Sequence, residues 1–352
     1  MTKCSIEPGQ QQYNRAWTTV LARYRQPSPM RSAREIAITV LCFVALWTAA
    51  VVTILHVGWW GLVFTIPTAG FLVRLFILQH DCGHGTLFAH RSLNNWIGRL
   101  IGVFTWAPYD YWRRTHAVHH ASAGNLDRRG IGDIDTLTVR EYRKLSRWAR
   151  VRYRLYRHPL IMFGLGPAWL FICQYRLPIG LMRAGTQPWL STIATNIGIA
   201  LPVAAMIWLI GLGPFLAVQV PVTLMAATIG VWLFYVQHQF EETHWEEQDN
   251  WVFQQAALHG SSYYVLPRPI QWITGNIGIH HVHHLAAGIP FYRLPEVLQD
   301  FPELQSVNRI TFLESLNCVK FVLWDESRKR LITFRDEKAT RATAAMGDEK
   351  AH

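Results

Sequence analysis

Four apolar runs constrain this chain more than any other feature: Ile36–Leu55, Gly58–Leu78, Trp189–Ile210 and Gly213–Val236. A helix crosses the hydrocarbon of a bilayer in roughly 20 mostly apolar residues, and each run is long enough to do so. The runs come as two close pairs. Gly58 lies at the first joint, and Gly211, Gly213 and Pro214 lie at the second, residue types that suit a tight turn between helices. The spacing predicts an all-α integral membrane protein with four spans, over 36–55, 58–78, 189–210 and 213–236, arranged as two helical hairpins.

Charge supplies the orientation. The chain carries a formal net charge of +11, yet Lys and Arg are absent from Leu55–Gly61 and Leu209–Phe215. They crowd the N-terminal arm, the stretch Arg113–Arg183 and the C-terminal third. Basic segments mark the cytoplasmic side of a membrane, which places both ends and the middle segment there. This is a multi-pass membrane protein, in the inner membrane if its source is bacterial. The basic balance is thereby absorbed by topology, and no basic-and-aromatic strand pattern of a nucleic-acid domain accompanies it.

Three parts follow: an N-terminal arm at 1–34, a body at 35–335, and a polar, Ala-rich tail at 336–352 expected to be disordered. Within the body, 79–188 and 237–335 form a cytoplasmic helical cap. Ile97–Ala107 and Pro159–Cys173 are too short or interrupted to span and are expected at the membrane interface. Arg74, near the cytoplasmic end of the second run, is expected to snorkel to the interface. The five cysteines are scattered and never form C-x-x-C, which argues against a zinc ribbon or a disulfide framework. No short apolar core with a cleavage site precedes the first run, so no removable signal is expected.

Sixteen histidines are many for 352 residues, and they are grouped. His80 and His84 follow the second run; His116, His119 and His120 form a second group; His280, His281, His283 and His284 form a third. On a helix, positions i, i+3 and i+4 share a face, so each group can aim two or three imidazoles together. All three groups fall on the predicted cytoplasmic face, and His238, where the fourth run ends, lies at the depth of His80. Neutral imidazole binds iron, zinc, copper and nickel. Eight or nine such ligands are too many for one ion and suit two, each with a position left open. Structural zinc sites take four ligands, usually with thiolates among them, and soluble di-iron bundles use carboxylates. Asp81, Asp110, Asp133, Glu241 and Glu242 are candidates to orient the imidazoles through their outer nitrogens. His244 and His281 are expected to be supporting or structural residues.

The pattern H-x-x-x-H, H-x-x-H-H and a distant H-x-x-H-H, bracketing two hairpins, resembles the membrane-bound fatty acid desaturases. The resemblance runs from about Ile36 to Arg293. Gln79–Gly85, Pro108-Tyr109, Trp112-Arg113, Gly124–Asp127 and Gly275–Gly278 sharpen it toward the acyl-lipid delta-12 (omega-6) enzymes. It implies that His80, His84, His116, His119, His120, His280, His283 and His284 bind two irons, that His238 completes the shell, and that Asn276 holds a metal-bound water. It also implies an oxidoreductase that uses dioxygen to place a cis double bond in a membrane-lipid acyl chain. An external electron donor, ferredoxin-like or cytochrome b5-like, is implied as well, since the chain has no fused haem, flavin or iron–sulfur motif. A hydroxylase or acetylenase, or a delta-9 or omega-3 desaturase, shares the same ligands. A metal transporter is the reading from a different class, and it should carry ligands near mid-membrane. Oligomeric state is silent in the sequence.

Overall fold

The structure is a computed structural model that describes residue 17 and residues 19–349, with side chains through Arg341. Half of the N-terminal arm, residues 1–16 and 18, lies outside the described residues. Ser28 caps the first long helix, α1 (Pro29–Val57), by accepting from the Arg31 backbone, and Pro29 takes the first helical position, where no N–H is needed. A 3₁₀ turn at Trp59–Phe64 leads into α2 (Thr65–His84). Two amphipathic helices follow, α3 (Arg91–Phe104) and α4 (Tyr109–Ser122). Beyond the middle segment come α5 (Gln187–Ile210) and α6 (Leu212–His238).

By length and composition α1, α2, α5 and α6 are each able to cross a membrane. Their lengths come from the apolar runs, but each helix extends beyond at least one end of its run. In α2 and α6 the extension carries the chain to a histidine, His84 and His238. Packing sorts the four. Just over half (56%) of the apolar window of α2 is buried, against 6% of that of α5. The apolar core accordingly follows α2 and α6, through residues such as Leu72, Leu78, Val218, Val222 and Leu233. Helix α3, at 14 residues, is too short to cross. It leaves Leu93, Trp96, Leu100 and Phe104 exposed along one stripe, as a helix lying at an interface would.

Three expectations need correction. The fold is mostly helical and not all-α. Among the described residues, five short strands knit the segments outside the long helices: β1 (Leu137–Thr138), β2 (Tyr263–Val265), β3 (Arg309–Thr311), β4 (Leu323–Asp325) and β5 (Arg330–Ile332). They form a three-stranded sheet, β1-β4-β5, and a parallel β2-β3 pair. Runs of two or three residues are too short to show an alternating pattern.

The tail expected to be disordered, 336–352, is helical over its described residues, 336–349, which belong to a helix spanning Phe334–Glu349. Thr333 and Asp336 exchange capping bonds at its start, and Glu337 pairs with Arg143 at 2.9 Å.

Arg74 does not snorkel. Its side chain is 1% exposed and pairs with Glu35 of α1 at 2.5 Å. It also donates to Thr39 Oγ1 and to the Trp272 carbonyl, and its guanidinium lies 4.1 Å from the Trp272 ring centre. A charge at this depth is tolerated because it has a partner.

Candidate metal centre

The histidines reach one place from four helices. His80 and His84 lie one turn apart at the end of α2. His116, His119 and His120 lie on α4, His238 ends α6, and the last set sits on a short helix, α7 (His280–Leu285). The approach to α7 is tight: the Tyr264 N–H donates to the Gly278 carbonyl at 2.7 Å, and a Cβ on Gly278 would sit 2.4 Å from the Tyr264 oxygen. Only glycine passes there.

The nine imidazoles form two groups. His80, His84, His116, His120 and His283 make the first, and His119, His238, His280 and His284 the second. Within each, the ligand nitrogens lie within 4.8 Å of one another. Two of the sequence motifs are divided between the groups. On α4, His116 and His120 serve one group and His119 the other; on α7, His280 and His284 serve one and His283 the other. Each of these motifs therefore stitches two sites together. The rings of His120 and His284, from opposite groups, stack at 4.2 Å.

The nitrogen spacings test whether ions fit. In the first group Nε2 of His84 and His116, of His116 and His120, and of His120 and His283 are each 3.1 Å apart. In the second, Nε2 of His238 lies 3.2 Å from that of His119 and 3.0 Å from that of His280, and His284 lies 3.1 Å from His280. Two nitrogens held at right angles on an ion at about 2.1 Å would be about 3.0 Å apart. Hydrogen bonds alone do not account for this geometry, because His116 Nε2 faces two imidazoles and has at most one proton. His80 Nε2 is buried with no hydrogen-bond partner among the described residues. All four members of the second group are buried, so that group is the more enclosed. Burial holds His116, His120, His280, His283 and His284 well below the ordinary histidine range, which keeps them in the neutral, metal-binding form.

Outer contacts fix ring orientation. His119 Nδ1 donates to Asp133 at 2.5 Å, His80 Nδ1 to Asp81 at 3.2 Å, and His238 Nδ1 to the Gly260 carbonyl at 3.3 Å. Each leaves Nε2 free to face its group. Asp81 also accepts the Phe291 N–H at 2.7 Å.

The other acidic candidates serve elsewhere. Asp110 is taken by Arg99 at 2.8 Å, Glu241 pairs with Arg330 at 3.0 Å, and Glu242 is exposed. His281 belongs to neither group and donates from Nε2 to the Leu304 carbonyl; the His244 N–H goes to the His259 carbonyl. The side-chain amide of Asn276 donates to the Phe291 carbonyl at 3.2 Å.

Phe234 was not anticipated. One turn before His238, it packs against both His238 and His119, and its i−4 spacing is the signal that would have found it. Trp112 stacks on His116 at 4.6 Å.

Apolar helices long enough to cross a membrane, with two adjacent all-histidine groups at the ends of two of them, fit a membrane protein with a centre able to hold metal. Comparison with known proteins makes this specific: the fatty acid desaturase family profile matches residues 58–311, and the chain belongs to that family. It is 42% identical over 335 residues, 95% of this chain and 94% of the other, to a fatty acid desaturase of Bacillus subtilis (strain 168). It is 30% identical to an sn-1 acyl-lipid omega-3 desaturase (ferredoxin) of Synechocystis, covering 62% of this chain and 61% of that one. It is 26% identical to an sn-1 oleoyl-lipid 12-desaturase of the same organism, covering 68% of each chain. Membership makes the chain an oxidoreductase of lipid metabolism, and its four apolar helices fit a membrane protein.

Proposed function

We propose that this protein places a cis double bond in an acyl chain of a membrane lipid, using two irons and dioxygen. The observation that carries the reading is the division of nine histidines into two adjacent groups of five and four. The first group would hold one iron and the second the other. When bound, the irons supply the reductive activation of dioxygen needed to take hydrogens from an unactivated methylene, which side-chain acids and bases alone cannot do.

The chain's own residues set the conditions. Burial keeps His116, His120, His280, His283 and His284 neutral, Asp81 and Asp133 hold His80 and His119 with Nε2 inward, and Trp112 and Phe234 wall the groups with apolar rings. Asn276 is carried forward as the residue that would hold a metal-bound water through its Oδ1, since it is the amide N–H that donates to the Phe291 carbonyl. The spans are read as two hairpins with the histidines on the cytoplasmic side, supported by the basic segments outside the spans. The body is read as 35–335, with 79–188 and 237–335 as the cap.

Electrons would come from a soluble donor. An acidic ferredoxin-like protein suits the positive charge of the chain, and one relative's name specifies ferredoxin. Reduction by such a donor should slow as salt rises; a rate independent of salt would contradict electrostatic docking.

The sequence favours delta-12, whereas the relatives named with a position divide between omega-3 and 12 at 30% identity or less. Position is therefore the quantity the experiment reads. In a bacterial host lacking its own desaturase, the parent chain should yield a new cis-unsaturated lipid acyl chain, located by mass spectrometry of the derivatised double bond. The variant with both His119 and His120 changed to alanine should yield none. An alcohol in place of an alkene would assign hydroxylation instead. No product, with verified membrane insertion, iron loading and a competent donor, would contradict the proposal.

A further inference from the structure

Desaturation, on the reading above, has a requirement beyond the acyl chain. One dioxygen, two electrons from the donor, two protons from solvent and two hydrogens of the methylene pair become two waters and a double bond. Protons must enter and water must leave, and an apolar acyl path serves neither.

Two adjoining spaces meet this need at the second histidine group. One is a cavity of about 20 Å³ lined by His119, His238, Asp133, Asn125 and Gln239. A water needs about 10–15 Å³ and two to four polar partners, so this space holds one. The other is an open cleft of about 670 Å³ with Asp127, Asp135, Ala149 and Arg152 in its wall. Arg129 lines both.

Arg129 also begins a strap, residues 129–135, that crosses His119. Gly130 and Gly132 turn with φ of 109° and 79°, and a Cβ on Gly132 would stand 3.2 Å from the His119 Cβ. The strap places Asp133 on His119 Nδ1. Arg129 fastens it by donating to Glu141 at 2.7 and 3.0 Å and to the Leu126 and Thr136 carbonyls at 2.6 Å each. The Arg129 and Glu141 side chains are 20% and 43% exposed, so water reaches this ion pair and can compete for it.

We propose that the cleft, the Arg129–Glu141 latch and the one-water cavity form an aqueous port to the second histidine group. Water and protons pass through it separately from the acyl chain, and the Arg129 side chain is its gate.

The test reads access and not turnover. The iron-loaded full-length protein in lipid nanodiscs is exposed to EDTA, a membrane-impermeant chelator, and iron remaining per chain is followed in time. Glu141→Gln keeps an acceptor for the Thr138 N–H but weakens the latch; Arg129→Ala removes the gate; Ala149→Trp fills the cleft.

The first two should lose one iron several-fold faster than the parent, and the third several-fold more slowly. Extraction by the lipophilic 2,2′-bipyridine should be unchanged in all three. EDTA rates equal to the parent's in all three variants would overturn the port, as would bipyridine rates that move in parallel, which would signal general loosening. A parent that binds only one iron contradicts the function proposed above, while the order of EDTA rates still decides the port on the ion bound.

Discussion

Replacing Glu35 with glutamine while keeping Arg74 isolates the most exposed assumption about how the spans are held together. The pair is buried, with side-chain exposures of 1% for Arg74 and 9% for Glu35, so solvent screening is slight. Removing one partner of a buried ion pair costs about 3–5 kcal/mol, because the remaining charge loses its compensation. Here the Thr39 hydroxyl, the Trp272 carbonyl and the Trp272 ring still face the guanidinium, and glutamine offers one neutral acceptor. The loss should therefore fall near the low end, about 3 kcal/mol. Removing both charges, with Glu35→Leu and Arg74→Met together, should return stability to within about 1 kcal/mol of the parent, since apolar replacements of buried pairs are often neutral. Denaturant unfolding of the detergent-solubilised protein, followed by tryptophan fluorescence, supplies the values for this cycle. A Glu35→Gln variant as stable as the parent would refute the reasoning and mean that Arg74 reaches water or headgroups after all.

Other consequences are independent of that pair. Asp133→Ala should weaken one iron site about 10–100-fold, or about 1.4–2.7 kcal/mol, and leave the other unchanged in a competitive chelator titration. Equal weakening of both would detach Asp133 from the second group. Gly278→Ala forces a Cβ against the Tyr264 carbonyl and should cost about 1–3 kcal/mol, measured as a lower unfolding midpoint. Burial holds His281 down to about 4 from 6.5. Between those values the unfolded chain takes up a proton that the folded chain refuses, so stability falls as pH falls, by up to about 3 kcal/mol from this group. The apoprotein's Tm should drop over that window, and His281→Asn should flatten the drop; an equal slope in the variant would place the proton uptake elsewhere.

Much of the site was legible because its signals are local. Four apolar runs of spanning length and histidines at i, i+3 and i+4 need no tertiary information, and the structure carries four such helices and brings all nine chosen histidines together. What was not legible depends on contacts between distant segments. Which histidine of α4 faces which group follows from helix rotation, so the division of His119 from His116 and His120 appears only in three dimensions. Asp133 and Asp110 look alike in sequence, yet one is carried to His119 by the strap and the other is taken by Arg99. Arg74 found Glu35, 39 residues away, by the packing of α1 on α2. The short strands pair residues as far apart as Leu137 and Leu323, with no pattern long enough to announce them.

The central claim is that each histidine group holds its own iron. It is tested most directly by iron analysis with Mössbauer spectroscopy of the purified parent, His84→Ala and His238→Ala. The parent should carry two irons per chain and, in each single variant, one iron should be lost or weakened with the other retained. One iron in the parent, or a variant that keeps both irons with an unaltered spectrum, would contradict it.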